Sequence, residues 1–156
     1  MDPIKVFIDT EFTNFFVPAL ISIGLVADTG EETYFEVDYE YADCSDFVRE
    51  TVIPLLSSGP YMKFKKDDLH KALYSWFQII KSPGQTVEIC YDAEIDWLLF
   101  SQLFDMHLAS WIVPLNIEYQ VSTLLQYDYY KKNLIPEHHA LNDARAIAFA
   151  YRKHIP

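Results

Sequence analysis

The chain has little glycine, only two cysteines and no long apolar run. With 4 glycines among 156 residues and no low-complexity stretch, we expect no disorder beyond the termini. Cys44 and Cys90 follow no zinc-binding spacing, and the sequence leaves a disulfide between them open. Because no signal peptide is recognisable, a reduced, cytoplasmic protein is the expectation. The longest apolar stretches are too short to span a bilayer, so no membrane partner is predicted.

Positive charge is also scarce. The chain has 12 Lys and Arg against 23 Asp and Glu, which gives a net charge of -11. A protein that coats duplex nucleic acid should be basic, because neutralisation of phosphates supplies most of the non-specific affinity. That class is excluded. An enzyme that acts on nucleic acid is not, because bound divalent ions can offset some of the acids and contact phosphate directly. Short or single-stranded ends are then favoured over long duplex.

The rest of the composition indicates one α/β domain covering residues 1–156. The chain is 51% hydrophobic and 16% aromatic, which is sufficient for a substantial core. Strands that alternate with amphipathic helices are typical of a mixed sheet flanked by helices. Ser45 and Ser122 are predicted N-caps, and Pro54 together with Ser57-Ser58-Gly59-Pro60 is predicted to end the first helix. The patterning predicts five strands, at residues 5–8, 19–27, 33–37, 86–91 and 116–120, and helices at 46–55, 67–80, 94–106, 122–132 and 140–153.

Two acids follow the first apolar run, in the segment VFIDTEFT. Asp9 and Glu11 are two residues apart, so on a strand both side chains leave from one face while Thr10 points the other way. Carboxylates about 6–7 Å apart along a strand can hold two metal ions, with Asp9 bridging them. A solvated strand end with two exposed acids is the plain alternative.

A third acid lies in the segment EICYDAEIDWLLF. Asp96 falls in the first turn of a helix that follows a strand, where the helix dipole favours a negative group. That preference alone explains an acid at this place. Asp92 and Glu94 compete with Asp96 for any role as a metal ligand.

The segment HHALNDARA combines a histidine with an acid at the start of the last helix. Asp143 falls in the first turn of that helix, and His138 lies five residues earlier in a loop that can reach the same site. An imidazole can take a proton from water near neutral pH. A surface histidine is the plain alternative, and the adjacent His139 is an equal candidate for the role of base.

In order and spacing, these segments resemble the motifs of the DEDDh exonucleases, which have the ribonuclease H-like fold. The family pattern is D-x-E on the first strand, an isolated Asp on a mid-chain helix, and H-x-x-x-x-D opening the last helix. DTEF and LISIGLVA resemble the first motif and the second strand, and HHALNDAR resembles the third motif. The closest resemblance is to compact bacterial exoribonucleases that carry DTEF, ISIG and HHAL-x-DAR. The motifs cover residues 6–146.

The resemblance implies a metal-dependent 3′→5′ exonuclease with a five-stranded mixed sheet. Asp9, Glu11, Asp96 and Asp143 would bind two Mg²⁺ or Mn²⁺ ions, and His138 would be the general base. Single-stranded RNA, favoured over DNA, would be cut from its 3′ end into nucleoside 5′-monophosphates. Members of the family often form homodimers, and the many aromatic residues suggest self-association here.

Three further residues are substrate-binding candidates by the same resemblance. Asp92 stands where an asparagine often helps to hold substrate, so it adds a negative charge near the phosphates. Phe12 replaces the common threonine after DTE, and it either stacks on the terminal base, which is worth roughly 1–3 kcal/mol, or packs in the core. Arg145 either contacts phosphate or forms a salt bridge to the acidic site.

A basic and aromatic segment lies near the middle of the chain. Lys63, Lys65 and Lys66 cluster beside Tyr61 and Phe64, in the manner of a single-strand-binding stripe. A solvated face is the favoured interpretation.

Other functions remain open on the sequence. One is a single-stranded DNA exonuclease. A second is an inactive nucleic-acid-binding module of the same fold, which is disfavoured because all five expected positions are filled. A third is an endonuclease or integrase-like strand transferase, and such enzymes generally lack the H-x-x-x-x-D pair.

Overall fold

The protein forms one six-stranded mixed sheet with helices on both faces. The structure, a computed structural model, describes residues 1–57 and 63–154, and for residues 153 and 154 it describes the backbone alone. The strands are β1 (Ile4–Phe12), β2 (Leu20–Ala27), β3 (Glu32–Val37), β4 (Lys63–Phe64), β5 (Val87–Tyr91) and β6 (Ile112–Asn116). The helices are α1 (Lys66–Ile80), α2 (Glu94–Gln102), α3 (Thr123–Asn133) and α4 (Ala140–His154).

The strand order is β4-β3-β2-β1-β5-β6, with β1 in the interior of the sheet. Strands β1, β2 and β3 form an antiparallel meander, whereas β5 and β6 continue the sheet parallel to β1. All eight residues of β2 are buried, as its continuous apolar run predicts. The predicted fold class is confirmed.

The predicted number of strands, five, is wrong by one. The additional strand, β4, has only two residues and pairs with the end of β3. Two residues are too few to show an alternating pattern, so hydrophobicity could not reveal it.

The predicted strand at residues 116–120 is also misplaced. The strand is Ile112–Asn116, and Glu118–Gln120 forms a turn of 3₁₀ helix. Pro114 lies within this strand and argues against it in a sequence. The strand tolerates proline because β6 lies at the edge of the sheet, where one side needs no hydrogen-bond donor.

The predicted helices are confirmed except that the first is irregular over most of its length and the third is shorter than predicted. Residues 46–55 are helical, with Ser45 Oγ accepting a hydrogen bond from Val48 N at 3.2 Å, but they form π and 3₁₀ turns. The helix predicted to reach residue 106 stops at Gln102, because Asp105 and Met106 adopt positive φ angles of 50° and 61°. The predicted break at 58–60 lies outside the described residues.

Two cores fill the two faces of the sheet. One joins Ile4, Val6 and Ile8 of β1 to α1 and α2. The other joins Phe7 to Ala144 and neighbouring residues of α4. Successive residues of β1 therefore face α1 and α2 or α4 in alternation.

Both cysteines are buried and unpaired, so the structure contains no Cys44–Cys90 disulfide. Cys90 is fully buried beside α4, as expected for a small apolar side chain. Among the described residues, no helix has the length and hydropathy needed to cross a bilayer.

Candidate active site

The first two acids lie on the α4 face of β1. Asp9 pairs across the sheet with Gly24, and Glu11 pairs with Ser22. The strand continues to Phe12, so both acids lie within regular β structure, which fixes the direction of their side chains. Ordered strands hold a site more firmly than a flexible loop would.

Gly24 lets the start of α4 approach this face. A Cβ atom built on Gly24 would lie 2.5 Å from the carbonyl carbon of Ala140 and from Cα of Leu141. Because this backbone lies directly on the sheet, the first turn of α4 delivers Asp143 to the acids of β1. Oxygen atoms of Asp9, Glu11 and Asp143 all lie within 4.8 Å of one another.

The fourth predicted acid approaches from the other side of the strand. Asp96 belongs to α2, and its Oδ1 accepts hydrogen bonds from the backbone N of Thr10 at 3.1 Å and from its hydroxyl at 2.5 Å. Asp96 as a whole is only 3% exposed. Asp96 therefore lies outside the three-acid group, although its charge raises the pKa of Asp9 and Glu11. Its role as a metal ligand stays a prediction.

Burial raises the pKa of each of these acids. The pKa of Glu11 rises to about 8, first through burial and then through the charges of Asp143 and Asp96. Burial and the charges of Asp96 and Asp143 raise the pKa of Asp9 well above its usual value. Burial also raises the pKa of Asp96 to about 7 and that of Asp143 to about 6. Such a group of carboxylates favours either protons or a bound cation.

The donor atoms suit a divalent metal. Asp9 Oδ2 is buried and has no hydrogen-bond partner, so the protein leaves a strong acceptor unused inside the acid group. Carboxylate oxygens are the ligands that Mg²⁺ and Mn²⁺ prefer. Asp9, Glu11 and Asp143 form the only group of three such donors among the residues that the structure describes.

The raised pKa values predict that metal stabilises this protein more strongly at high pH. Below about pH 4 the acids are protonated whether the chain is folded or unfolded. As the pH rises through the folded-state pKa values of Asp143 and Glu11, about 6 and about 8, the metal-free protein loses stability. Bound Mn²⁺ would offset the repulsion between the ionised acids. The increase in Tm on replacing EDTA by Mn²⁺ should therefore be several degrees larger at pH 8 than at pH 5. Thermal melts at matched ionic strength measure it, and a larger increase at pH 5 would contradict the assignment.

His138 is held against the acids in a strained conformation. Its φ angle of 65° lies in the left-handed region, which costs a residue other than glycine roughly 1–2 kcal/mol. Its backbone N donates a hydrogen bond to Asp143 Oδ2 at 3.1 Å, which helps to hold this conformation. The side chain is 42% exposed, and its ring contacts the edge of Phe47 with centroids 5.1 Å apart.

His139 points elsewhere. Its ring stacks on Tyr34 at 4.6 Å, and its Nδ1 is buried without a hydrogen-bond partner. His138 therefore lines the cavity that contains the acids, whereas His139 packs on Tyr34.

A cavity of about 580 Å³ opens beside the acids. This volume lies within the range of roughly 300–1,000 Å³ that is usual for small-molecule sites. Its aromatic walls come from Phe12, Phe15 and Phe47, and Phe12 contacts the edge of Phe15 with centroids 5.1 Å apart. Phe12 also packs partly against the core, and its stacking on a terminal base stays a prediction. The acids, His138 and an apolar slot thus share one opening.

Asp92 and Arg145 occupy different surroundings. Asp92 is half-buried and lines a smaller cavity of about 240 Å³ together with Asp9, Tyr130 and Asp143. Arg145 donates to Glu32, with Nη2 and Oε2 2.6 Å apart, and does not join the acids. Arg145 thus forms its salt bridge with Glu32 and not, as one interpretation predicts, with the acidic site. Substrate binding by Asp92 and Arg145 stays a prediction.

The basic segment does not form a stripe that leads to the acids. Lys63 lies over the ring of Tyr39, and Phe64 contacts the edge of Phe35. Lys65 and Lys66 are exposed at the start of α1. Tyr61 lies outside the described residues.

Sequence reasoning missed three residues of this site: Phe15, Phe47 and Tyr130. Phe15 and Phe47 complete the aromatic wall, and Tyr130 donates a hydrogen bond to Asp143. The available signal for Phe15 was the apolar run Phe15-Phe16-Val17, which lies close after the acids in the sequence. In the structure these three residues are strongly exposed. No comparable signal marks Tyr130.

No protein-family model matches the chain, and no curated protein matches its sequence. Solved structures do match its fold. The nuclease domain of 3′hExo, a DEDDh family member bound to rAMP, has a TM-score of 0.66 at 18% identity, over 97% of this chain and 91% of that one. The Mg²⁺- and Mn²⁺-bound form of S. pombe Pop2p has a TM-score of 0.63 at 14% identity, over 96% of this chain and 81% of that one. A 3′-exonuclease that recognises the histone mRNA stem-loop has a TM-score of 0.61 at 14% identity, over 98% of this chain and 65% of that one.

Identities this low establish the fold alone. The single domain has the α/β architecture of ribonuclease H-like exonucleases, with a six-stranded mixed sheet flanked by helices.

Proposed function

We propose that the protein is a metal-dependent 3′→5′ exonuclease of the DEDDh type. Its substrate is a single-stranded 3′ end, with RNA favoured over DNA, and its products are nucleoside 5′-monophosphates. One observation carries this proposal: oxygens of Asp9, Glu11 and Asp143 lie within 4.8 Å of one another, beside His138 and an aromatic cavity. The similar fold of the Mg²⁺- and Mn²⁺-bound structure of Pop2p supports it.

The acids are the proposed ligands of two Mg²⁺ or Mn²⁺ ions. Asp9, Glu11 and Asp143 supply the group of oxygens that the strand and α4 bring together. Asp96, held by Thr10, adds negative charge from the opposite side. When bound, the metals would activate a water molecule and stabilise the departing 3′ oxygen.

His138 is the proposed general base. Its ring lines the cavity, and its backbone N donates a hydrogen bond to Asp143, which holds the proposed base next to a proposed metal ligand. A partly exposed imidazole can accept the proton of the attacking water and release it to solvent. A carboxylate oxygen of Glu137 lies 4.0 Å from Nε2 of the ring.

The cavity favours one unpaired terminal nucleotide. Phe12, Phe15 and Phe47 offer apolar surfaces to a base, and stacking of this kind is worth roughly 1–3 kcal/mol per base. A paired base could not enter such a slot without leaving its duplex. The net charge of -11 disfavours long duplex in addition. RNA is favoured because the similar structures include one bound to rAMP and one that recognises a histone mRNA stem-loop.

Product analysis on matched RNA and DNA oligomers of each base tests this function. Single strands labelled at the 3′ end should release labelled mononucleotide from the first turnover with Mg²⁺ or Mn²⁺, RNA faster than DNA, and EDTA should stop the release. A circular single strand of the same sequence is the control and should stay intact. Cutting of the circle, or first release of the 5′ nucleotide, would rule out the proposal.

A cytoplasmic location and a homodimer stay predictions. The exposed apolar residues Phe15, Phe16 and Val17 supply surface for self-association, but Phe15 also lines the cavity.

A further inference from the structure

Tyr130 makes a short hydrogen bond to the acid that α4 contributes. Its phenol donates to Asp143 Oδ1 at 2.6 Å, and the two residues lie on different helices, α3 and α4. The side chain is half-buried and lines the smaller cavity together with Asp9 and Asp92.

The two oxygens of Asp143 are each held by one donor. Oδ1 accepts from Tyr130, and Oδ2 accepts from the backbone N of His138. An ionised carboxylate offers about four acceptor positions, so two remain free. Because each carboxylate oxygen is held by one donor, the remaining acceptor positions of Asp143 can be directed at a metal ion shared with Asp9 and Glu11.

The hydrogen bond from Tyr130 orients the Asp143 carboxylate and is not needed for packing between α3 and α4. Helices α3 and α4 already contact each other through Tyr129 and Phe149, whose rings lie 5.2 Å apart. Replacement of Tyr130 by phenylalanine would keep the ring and remove one oxygen. The remaining bond from His138 would then leave the Asp143 carboxylate free to rotate.

We propose that Tyr130 is a positioning residue that orients the Asp143 carboxylate for metal binding. The inference rests on the metal site of the proposed function. Hydrogen-bond partners of this kind fix the direction of a metal ligand, and their loss typically lowers metal affinity or activity by about 10–100-fold.

Calorimetry with Mn²⁺ alone, in the absence of nucleic acid, tests this role. Tyr130→Phe should bind Mn²⁺ about 10-fold more weakly than the unmodified protein. Tyr129→Phe is the matched control, because it removes a phenol oxygen from the adjacent residue, which packs on Phe149 away from the acids. It should bind Mn²⁺ as the unmodified protein does. Both variants should unfold within a few degrees of the unmodified protein in EDTA.

Kinetics supply a second measurement. Tyr130→Phe should require about 10-fold more Mg²⁺ for half-maximal hydrolysis, with kcat at saturating Mg²⁺ and KM for RNA changed less than threefold. A purely structural defect would instead lower kcat at every metal concentration.

The outcomes separate this inference from the proposed function. Unchanged or tighter Mn²⁺ binding by Tyr130→Phe would overturn the inference, as would equal weakening in Tyr129→Phe. An unmodified protein that binds Mn²⁺ but leaves nucleic acid intact would overturn the function alone. An unmodified protein that binds no Mn²⁺ would overturn both.

Discussion

Replacing Asp9 with asparagine is expected to lower the rate of hydrolysis by about 10³-fold or more, and to raise the Tm of the metal-free protein at pH 8. Metal ions contribute several kcal/mol of transition-state stabilisation, and each 1.4 kcal/mol corresponds to about tenfold in rate. The same substitution removes one buried charge from a group of mutually repelling acids, so the folded state gains stability in EDTA. Initial rates and thermal melts measure the two effects.

The opposite signs of these effects make the Asp9 prediction specific. Misfolding would lower activity and Tm together, whereas loss of the Asp9 carboxylate should lower activity and raise the Tm of the metal-free protein. Asp38→Asn is the matched control, because Asp38 is exposed and does not line the cavity. It should change neither quantity appreciably. Retention of more than a tenth of the activity by Asp9→Asn would remove Asp9 from the proposed ligands.

Replacing Gly24 with alanine is expected to destabilise the protein by about 3 kcal/mol or more. The added methyl group would lie 2.5 Å from backbone atoms of Ala140 and Leu141, and backbone cannot yield as a flexible side chain can. For a chain of this size the loss corresponds to a fall in Tm of roughly 6–12 °C. The start of α4 would also move away from β1, and Asp143 with it, so Mn²⁺ binding should weaken as well.

Gly30→Ala serves as the comparison for Gly24. Gly30 has a φ angle of +108°, but a methyl group there would meet nothing within 4 Å. Conformational strain alone should therefore cost about 1 kcal/mol and leave Mn²⁺ binding unchanged. Equal losses of stability in the two variants would show that close contact between Gly24 and α4 does not govern the placement of Asp143.

Local rules were sufficient to predict most of the candidate site. Alternation along a strand places Asp9 and Glu11 on one face, and the first turn of a helix places Asp143 near the sheet. Both rules depend only on residues that are close in sequence, so they can be applied without knowledge of the fold.

Placement that depends on packing between elements could not be predicted in the same way. Whether Asp96 meets the acids or meets Thr10 is decided by the face of the sheet that α2 covers. Tyr130 reaches Asp143 from another helix, across 13 residues of chain. Nothing in the run QYDYYKK distinguishes Tyr130 from the tyrosines beside it.

The errors in the fold have a related origin. Pro114 is unfavourable in most strands, and β6 tolerates it only because the strand lies at the edge of the sheet. The two residues of β4 form a strand only because the end of β3 offers them a partner. In both cases the deciding interaction is with a residue distant in sequence.

Crystals grown with Mn²⁺ and a short single-stranded RNA whose terminal linkage resists hydrolysis would test the central claim most directly. The anomalous signal of manganese locates the metal, and the electron density shows which end of the RNA is bound. We predict manganese in contact with Asp9, Glu11 and Asp143, with the 3′-terminal base between the aromatic walls of the cavity. Manganese bound only at other acids, or the 5′ end of the RNA in that cavity, would contradict the account.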